Sequence, residues 1–290
     1  MMYQDFATFH NRLMLRATLT LETGLRVGSG AGDSVVGADI PIVCDALGRP
    51  FIPGSSFKGA LRATVERLAR TINRPPTLWA CENPLNLDDP DHGACVPRKG
   101  KKDGTGRKGK EEILRGATVN GRIDEQKFAR ELAAETCTVC RLFGSPWLAS
   151  KVRIKDLPLL EESWAGHVEV RTGVGIDRDT RTAAGQVLYS FEAVPAGTQF
   201  RCEIVVENAD EVELGLLLLG LREMQQGHVP LGGARSRGLG WGKLSDWEEI
   251  GWVDKSNLLD YLTEGKAGTP PKPLEDYVKG LKGVLAGGGA

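Results

Sequence analysis

A surplus of charge is what this sequence most plainly lacks: 37 Lys and Arg stand against 38 Asp and Glu, a formal charge of -1 over 290 residues. A uniformly basic surface is excluded, so any nucleic-acid site has to be local. Long hydrophobic runs are missing as well, and nothing approaches the roughly 20 apolar residues of a membrane span. Residues 1–10 hold no basic region followed by an apolar stretch and a small-residue cleavage site. The expectation is a soluble cytoplasmic protein with no membrane partner. Histidine is scarce, at four, and His10, His167 and His228 show no spacing that makes a catalytic pair. No internal repeat with a period of roughly 20 to 50 residues is present. Two familiar phosphate cradles also fail. Gly28-Ser29-Gly30-Ala31-Gly32-Asp33 carries Asp where a dinucleotide fingerprint needs its third glycine. Gly54-Ser55-Ser56-Phe57-Lys58-Gly59 lacks the Gly-Lys-Ser/Thr that seats a nucleoside triphosphate.

What is present suffices for a folded core, with 41% hydrophobic residues. From 12 to 22 the chain alternates, Leu13, Leu15, Ala17, Leu19 and Leu21 on one face, which predicts a half-buried strand. Residues 24–37 hold five glycines, suited to a loop whose backbone approaches something closely. A short strand at 40–44 and an extended piece at 49–53 follow. Ser55 and Ser56 are N-cap candidates for a helix reaching Ile72, with Phe57, Leu61, Val65 and Leu68 on its apolar face. Lys58 and Arg62, four apart, share another face. Residues 73–135 carry prolines at 75, 76, 84, 90 and 97 and a Gly/Lys/Arg-rich run at 98–110. They read as a partly mobile insertion hanging off the core, in which the run at 98–110 cannot bury much. Strands are predicted at 151–157 and 199–207, a polar projecting hairpin at 169–193, an apolar helix at 210–226, a glycine-rich segment at 232–242 and a closing strand at 244–247.

Without the insertions the order is β-α-β-β-α-β, an α+β fold of the split βαβ, ferredoxin-like (RRM-like) kind. The expected organisation is 1–72 as the first part of the core, 73–150 as the insertion, 151–250 as the second part with the hairpin at 165–195, and 251–290 as a tail. Only 274–285 of that tail predicts a helix. Of the six cysteines, Cys137 and Cys140 have the C-x-x-C spacing of half a zinc site, and Cys81 and Cys95 bracket the far end of the same insertion. The expected structural Zn2+ ligands are Cys81, Cys95, Cys137 and Cys140, with His92 as the substitute for one of them. Cys44 and Cys202 fall on predicted strands and read as core.

Three segments together resemble the RAMP backbone subunits of type III CRISPR effectors, the Csm and Cmr class. They are residues 37–45 (Gly37, Asp39, Pro41, Asp45), residues 50–62 (Pro53, Gly54, Ser55, Ser56, Lys58, Arg62) and residues 231–240 (Gly232, Gly233, Arg235, Arg237, Gly238, Gly240). Residues 140–144 and 172–178 are similar to the same family, and the likeness runs from about residue 12 to 247. It implies a core with a projecting thumb that binds CRISPR guide RNA, contacts target RNA and assembles with other effector subunits, further RAMP proteins among them. It implies RNA-binding roles for Ser55, Ser56, Lys58, Arg62, Gly232, Gly233, Arg235 and Arg237. Asp39 matches the family's catalytic aspartate, which implies cleavage of guide-paired target RNA with Mg2+ or another divalent cation. The loop before Asp39 is one residue shorter than the family's Gly-x-x-Asp form, and Asp33 and Asp45 are its competitors. A structural guide-binding subunit with a silent aspartate is the alternative. A guide-maturation endoribonuclease is the third reading.

Overall fold

The structure, a computed structural model, describes residues 6–28, 40–101 and 106–286. Its centre is one antiparallel sheet of four strands: β1 (Asn11–Leu21), β5 (Val152–Ile154), β9 (Gln199–Glu207) and β10 (Gly242–Asp254), ordered β10-β1-β9-β5. Two helices complete the unit, α1 (Gly54–Ile72) between β1 and β5, and α5 (Glu211–Gln225) between β9 and β10. The alternation in β1 sets the faces. Leu13, Leu15, Ala17, Leu19 and Leu21 join Phe200, Cys202, Ile204 and Val206 of β9 in the core. On the other face Arg12 and Arg16 pair with Glu207 and Glu203, and Arg153 of β5 adds to Glu207. A one-residue slip would exchange these faces, so the pattern fixes the register.

α1 and α5 come together where α5 carries a glycine: a Cβ on Gly220 would lie 2.5 Å from Val65 Cγ2 of α1. α5 is buried nearly all round, because a C-terminal helix covers its outer side. That helix, α7 (Leu274–Ala286), follows the short α6 (Leu258–Glu264) and buries Tyr277 and Leu281. The tail is therefore more ordered than its Pro, Lys and Gly content suggests, and β10 runs on past the expected closing strand. No helix among the described residues is long and apolar enough to cross a membrane.

The remaining elements are small. β2 (Phe51–Ile52) pairs with β6 (Leu157–Pro158). β7 (Glu169–Ile176) and β8 (Ala183–Ala193) form a long two-stranded hairpin. Between α1 and β5 lie α2 (Lys110–Gly116), a tiny hairpin of β3 (Thr118–Val119) and β4 (Arg122–Ile123), α3 (Glu125–Glu135) and α4 (Thr138–Phe143). The described residues of 98–110 are exposed or half-buried except Gly109, while the segments on either side bury apolar side chains. Val96, Ile113 and Leu132 form a second small core, with Phe128, Trp147 and Leu148 packed against it.

Candidate nucleic-acid interface and metal centre

The glycine-rich segment 231–240 lies flat on residues 24–26. Gly233 N–H donates to Arg26 O at 2.8 Å, Gly240 N–H to Gly24 O at 2.8 Å, and Leu231 N–H to Gly240 O at 2.8 Å. Glycine is demanded at two of these points. Gly240 has φ +85° and its Cβ would sit 1.9 Å from Leu231 O, while Gly232 has φ +70° and its Cβ would sit 2.2 Å from Arg26 O. The segment thus folds back tightly and turns Gly232, Gly233, Arg235 and Arg237 to solvent. Its middle is one 3-10 turn over Arg235–Arg237, flanked by left-handed Ala234 and Gly238.

The base of the β7–β8 hairpin closes on the same place. Leu25 and Val194 exchange both backbone hydrogen bonds, at 2.9 and 2.8 Å. Ile40 makes a parallel bridge to Phe191, with its N–H to Ser190 O at 3.2 Å and Glu192 N–H to its carbonyl at 3.1 Å. The Arg26 guanidinium stands 5.2 Å over the Phe191 ring, and Arg237 donates to the Tyr189 hydroxyl. Four segments separated by up to two hundred residues thereby converge on one patch of backbone, arginine and aromatic rings. Asp39, the expected catalytic residue, and its competitor Asp33 lie outside the described residues; Ile40 is the first described residue after them. Asp45, the other competitor, is engaged elsewhere: it accepts from Arg49 Nε and from the Leu47 and Arg49 N–H groups at 2.9 Å each. Those backbone bonds, led by Arg49's, hold its carboxyl below the usual range.

The start of α1 differs from its expectation. Its N-cap is Pro53 with no side-chain cap, and Gly54 N–H donates to Asp156 Oδ1 at 2.8 Å. Gly54 sits so close to Ile154 O that a Cβ would be 2.4 Å away. With Asp156 supplying the acceptor, Ser55 is left exposed and Ser56 half-buried, inside the first turn.

Lys58 and Arg62 face the insertion rather than the glycine segment. Lys58 Nζ donates to Ser150 Oγ at 2.6 Å and Val152 O at 2.9 Å, and burial holds its pKa below the ordinary lysine value, with Arg62 adding to the shift. Arg62 donates to Glu66 at 2.8 Å, to Gly144 O at 2.9 Å and to Cys140 Sγ at 3.5 Å. Arg70, two turns on, donates to Cys81 O at 2.9 Å and Glu82 O at 3.1 Å. One charged stripe of α1 is therefore a clamp that holds residues 73–150 against the core. The spacing of Lys58 and Arg62 was legible in the sequence; what their face meets was not, because all their acceptors but Glu66 lie 78 to 94 residues away.

Under that clamp four thiols converge. The Sγ atoms of Cys81, Cys95, Cys137 and Cys140 all lie within 4.8 Å of one another and all four residues are buried. Cys81 Sγ is 3.7 Å from Cys140 Sγ and 3.8 Å from Cys137 Sγ. A tetrahedral ion with sulfur at about 2.3 Å implies sulfur–sulfur edges near 3.8 Å, so the four can hold a metal ion. α4 begins at Cys137, whose sulfur accepts from Cys140 N–H at 3.4 Å. The thiols cannot all ionise unaided: the hydrogen bond from Cys137 pulls Cys81 far below the thiol range, and the one with Cys137 drives Cys140 far above it. A divalent cation removes that conflict.

His92 does not join the cluster. It stands on an exposed turn where Asp89 accepts its N–H at 3.0 Å, and its ring Nδ1 lies 3.1 Å from Glu82 Oε2, with the side chain 76% exposed. Four cysteines already fill a tetrahedral set, which leaves a fifth ligand no position. Cys202 is buried as expected, its thiol pushed up to about 12 chiefly by that burial. Cys44, expected in the core, is exposed instead, in a turn bridged to Pro50.

The sequence model of the RAMP superfamily matches residues 18–243. The chain is 26% identical over 252 residues to the CRISPR system Cms endoribonuclease Csm3 of Methanocaldococcus jannaschii, covering 82% of this chain and 81% of that protein. It is 28% identical over 262 residues to the Csm3 of Methanothermobacter thermautotrophicus, covering 80% and 83%. A shorter stretch of 62 residues is 45% identical to the Csm3 of Mycobacterium tuberculosis, covering 21% and 26%.

Proposed function

Because this chain belongs to the RAMP superfamily, we propose that it is a guide-RNA-binding backbone subunit of a type III CRISPR effector, and that it cuts the RNA paired to its guide. The observation that carries the reading is the convergence at the hairpin base. Leu25 and Ile40, the latter in a family-like segment, bond through their backbones to the hairpin base, and the family-like segment 231–240 bonds in turn to Gly24 and Arg26. The result is a glycine-lined surface with the exposed Arg235 and Arg237 and the half-buried Tyr189 ring, beside Arg26, which covers the buried Phe191. Such a surface suits a ribonucleotide strand: backbone and arginine take phosphates, and rings take bases. The strand order β10-β1-β9-β5 with α1 and α5 inserted supports a ferredoxin-like core. The β7–β8 hairpin is the candidate thumb, and further copies or relatives would line up along the guide. Base pairing, not protein, then reads the target.

The four thiols fit a structural Zn2+, which would tie an otherwise polar insertion to α1. For the cut, Asp39 follows the glycine loop immediately before Ile40, which is fixed to the hairpin base. A nucleotide splayed out of the duplex there has its 2′-hydroxyl free to attack the adjacent phosphorus in line. The new bond is 2′-oxygen to phosphorus, the bond to the 5′-oxygen breaks, and the hydroxyl proton ends on that leaving oxygen. Asp39 orients the 2′-hydroxyl. The expected Mg2+ or other divalent cation would share this carboxylate, as the Lewis acid for the phosphate. Asp39→Ala in the assembled complex is the test: cleavage at the position served by this subunit is lost while RNA binding persists. Unchanged cutting would overturn the catalytic assignment and leave a purely structural guide-binding subunit.

A further inference from the structure

β8 changes partners at Glu192. On one side of that residue it takes Ile40 in a parallel bridge, with Ile40 N–H to Ser190 O at 3.2 Å and Glu192 N–H to Ile40 O at 3.1 Å. By Val194 it exchanges its backbone bonds with Leu25 instead. A regular parallel ladder would run its next bond from Ile42 N–H to the Glu192 carbonyl. Ile42 N–H donates to the Glu192 side chain in its place, to Oε2 at 3.1 Å. Ile42 is 5% exposed, and a buried N–H left without an acceptor is costly. Glu192 itself is half-buried and makes no ion pair among the described residues. Arg171 on the facing strand is occupied by Glu169, and Arg26 lies over the Phe191 ring. The Glu192 charge instead faces Cys44, whose thiol is pushed up first by burial and then by the Glu192 and Asp45 carboxylates. The bond to Ile42, not an ion pair, is what holds this carboxylate.

Residues 40–43 run between β8 and residues 27–28. Ile40 and Ile42 point their N–H groups at β8, while Val43 N–H donates to Val27 O at 2.9 Å on the other side. Of these fastenings, the one from Glu192 is supplied by a side chain. Asp39 is joined to Ile40 by one peptide bond, so a shift of the segment along β8 carries that carboxylate with it. An in-line attack tolerates little of this: a displacement of about 1 Å can cost roughly 100-fold in rate.

We infer that Glu192 is a positioning residue for RNA cleavage, one that fixes the segment behind Asp39 to the hairpin base through the Ile42 N–H and touches neither phosphate nor 2′-hydroxyl. This rests on the reading that the chain cuts through Asp39. What the role requires of Glu192 is an acceptor oxygen at the right reach, not a charge.

The test compares three substitutions in the assembled complex with guide and target RNA. Glu192→Met fills the space without an acceptor, Glu192→Gln keeps an acceptor at the same reach without the charge, and Glu192→Asp keeps the charge but falls short. The methionine and aspartate variants lower the rate of cutting at saturating target by about tenfold to 100-fold, with target affinity within about twofold of wild type. The glutamine variant keeps the rate within about threefold, since a neutral acceptor makes the weaker bond. The Mg2+ concentration for half-maximal rate stays the same in all three. Hydrogen exchange at the Ile42 amide of the 15N-isoleucine-labelled full chain reads the bond independently of cutting. It quickens about tenfold or more in the methionine and aspartate variants and not in the glutamine variant. Thermal melting identifies the variants that fold, and the aspartate variant carries the comparison if the methionine one does not. A glutamine variant that cuts as poorly as the other two, or that needs more Mg2+, overturns the positioning role and makes the charge itself part of the site. Wild-type cutting alongside fast Ile42 exchange overturns the link from this segment to Asp39. A wild-type complex that binds target without cutting it overturns the cleavage reading, and the positioning role falls with it.

Discussion

Arg62 sits one turn from Lys58, at a spacing that reads as a phosphate grip, yet each arm of its guanidinium is taken within the protein. Its contact with Cys140 Sγ at 3.5 Å matters most, because a metal with four thiolates carries a net negative charge that a neighbouring cation offsets. The groups that hydrogen-bond a metal's ligands orient them and tune the ion, and their loss typically costs roughly 10 to 100-fold in affinity. Arg62→Met is therefore expected to weaken metal binding by that order. Chelator competition measures it, and the thiolate-to-metal absorption of the Co2+-substituted protein reports the ligand field independently. Equal affinity in the variant would return Arg62 to the list of groups available for RNA. Removing Arg62 should disturb RNA uptake only through the insertion it clamps.

At the scale of elements, the insertion is fastened to the core a second time. Glu213, in the first turn of α5, is 1% exposed and accepts from Lys151 Nζ at 2.8 Å and from Arg141 Nε at 3.3 Å. It also accepts from Asp210 N–H at 3.0 Å to complete a capping box. Lys151 is equally buried and directly follows the insertion, just before β5, while Arg141, inside it, follows the C-x-x-C pair by one residue. Breaking one side of a buried pair leaves an uncompensated charge and typically costs about 3–5 kcal/mol. Glu213→Gln should lower the unfolding free energy by that amount in urea denaturation. Glu213→Gln with Lys151→Met should recover much of it, as a double-mutant cycle would reveal. A small loss in the single variant, below about 1 kcal/mol, would mean the pair is solvated after all.

These two fastenings also explain what the sequence could and could not disclose. Period-two alternation in 12–22 and 199–207, and the apolar run in 210–226, identified β1, β9 and α5 because burial on one face leaves a local imprint. The C-x-x-C pair and two outlying cysteines identified the four thiols for a similar reason, since thiolate ligands come with recognisable spacing. The partners of Lys58, Arg62 and Glu213 were hidden, because a charged residue reads the same whether its partner is water, a phosphate or a carbonyl 80 residues away. The cap of α1 was misread on the same ground: Ser55 and Ser56 carry the local cap signature, yet the helix starts on Pro53 and Gly54 N–H donates to Asp156, about 100 residues downstream.

For the molecule as a whole, the part matched to the RAMP superfamily ends at residue 243, and 47 residues continue beyond it. Part of that continuation, the rest of β10, completes the sheet. α7 does something different, because it is the cover of α5: Tyr277 and Leu281 are buried against it, and Gly215 lets the Tyr277 carbonyl come within 2.5 Å of where a Cβ would stand. Without α7 the outer side of α5 would show Leu218 and Leu221 beside Ile250, already 39% exposed, and Trp247. An exposed apolar patch of that kind favours self-association. Removing residues 266–290 should therefore lower the melting temperature and raise the mass seen in sedimentation as protein concentration rises. RNA affinity should stay near wild type, because the glycine segment and the hairpin base lie on other elements. The loss in stability should approach the burial of two large side chains, roughly 3–6 kcal/mol. A truncated chain that stays monodisperse with unchanged melting would show that α5 needs no cover. A truncated chain that melts normally yet loses RNA would move the interface itself toward the C-terminal helix.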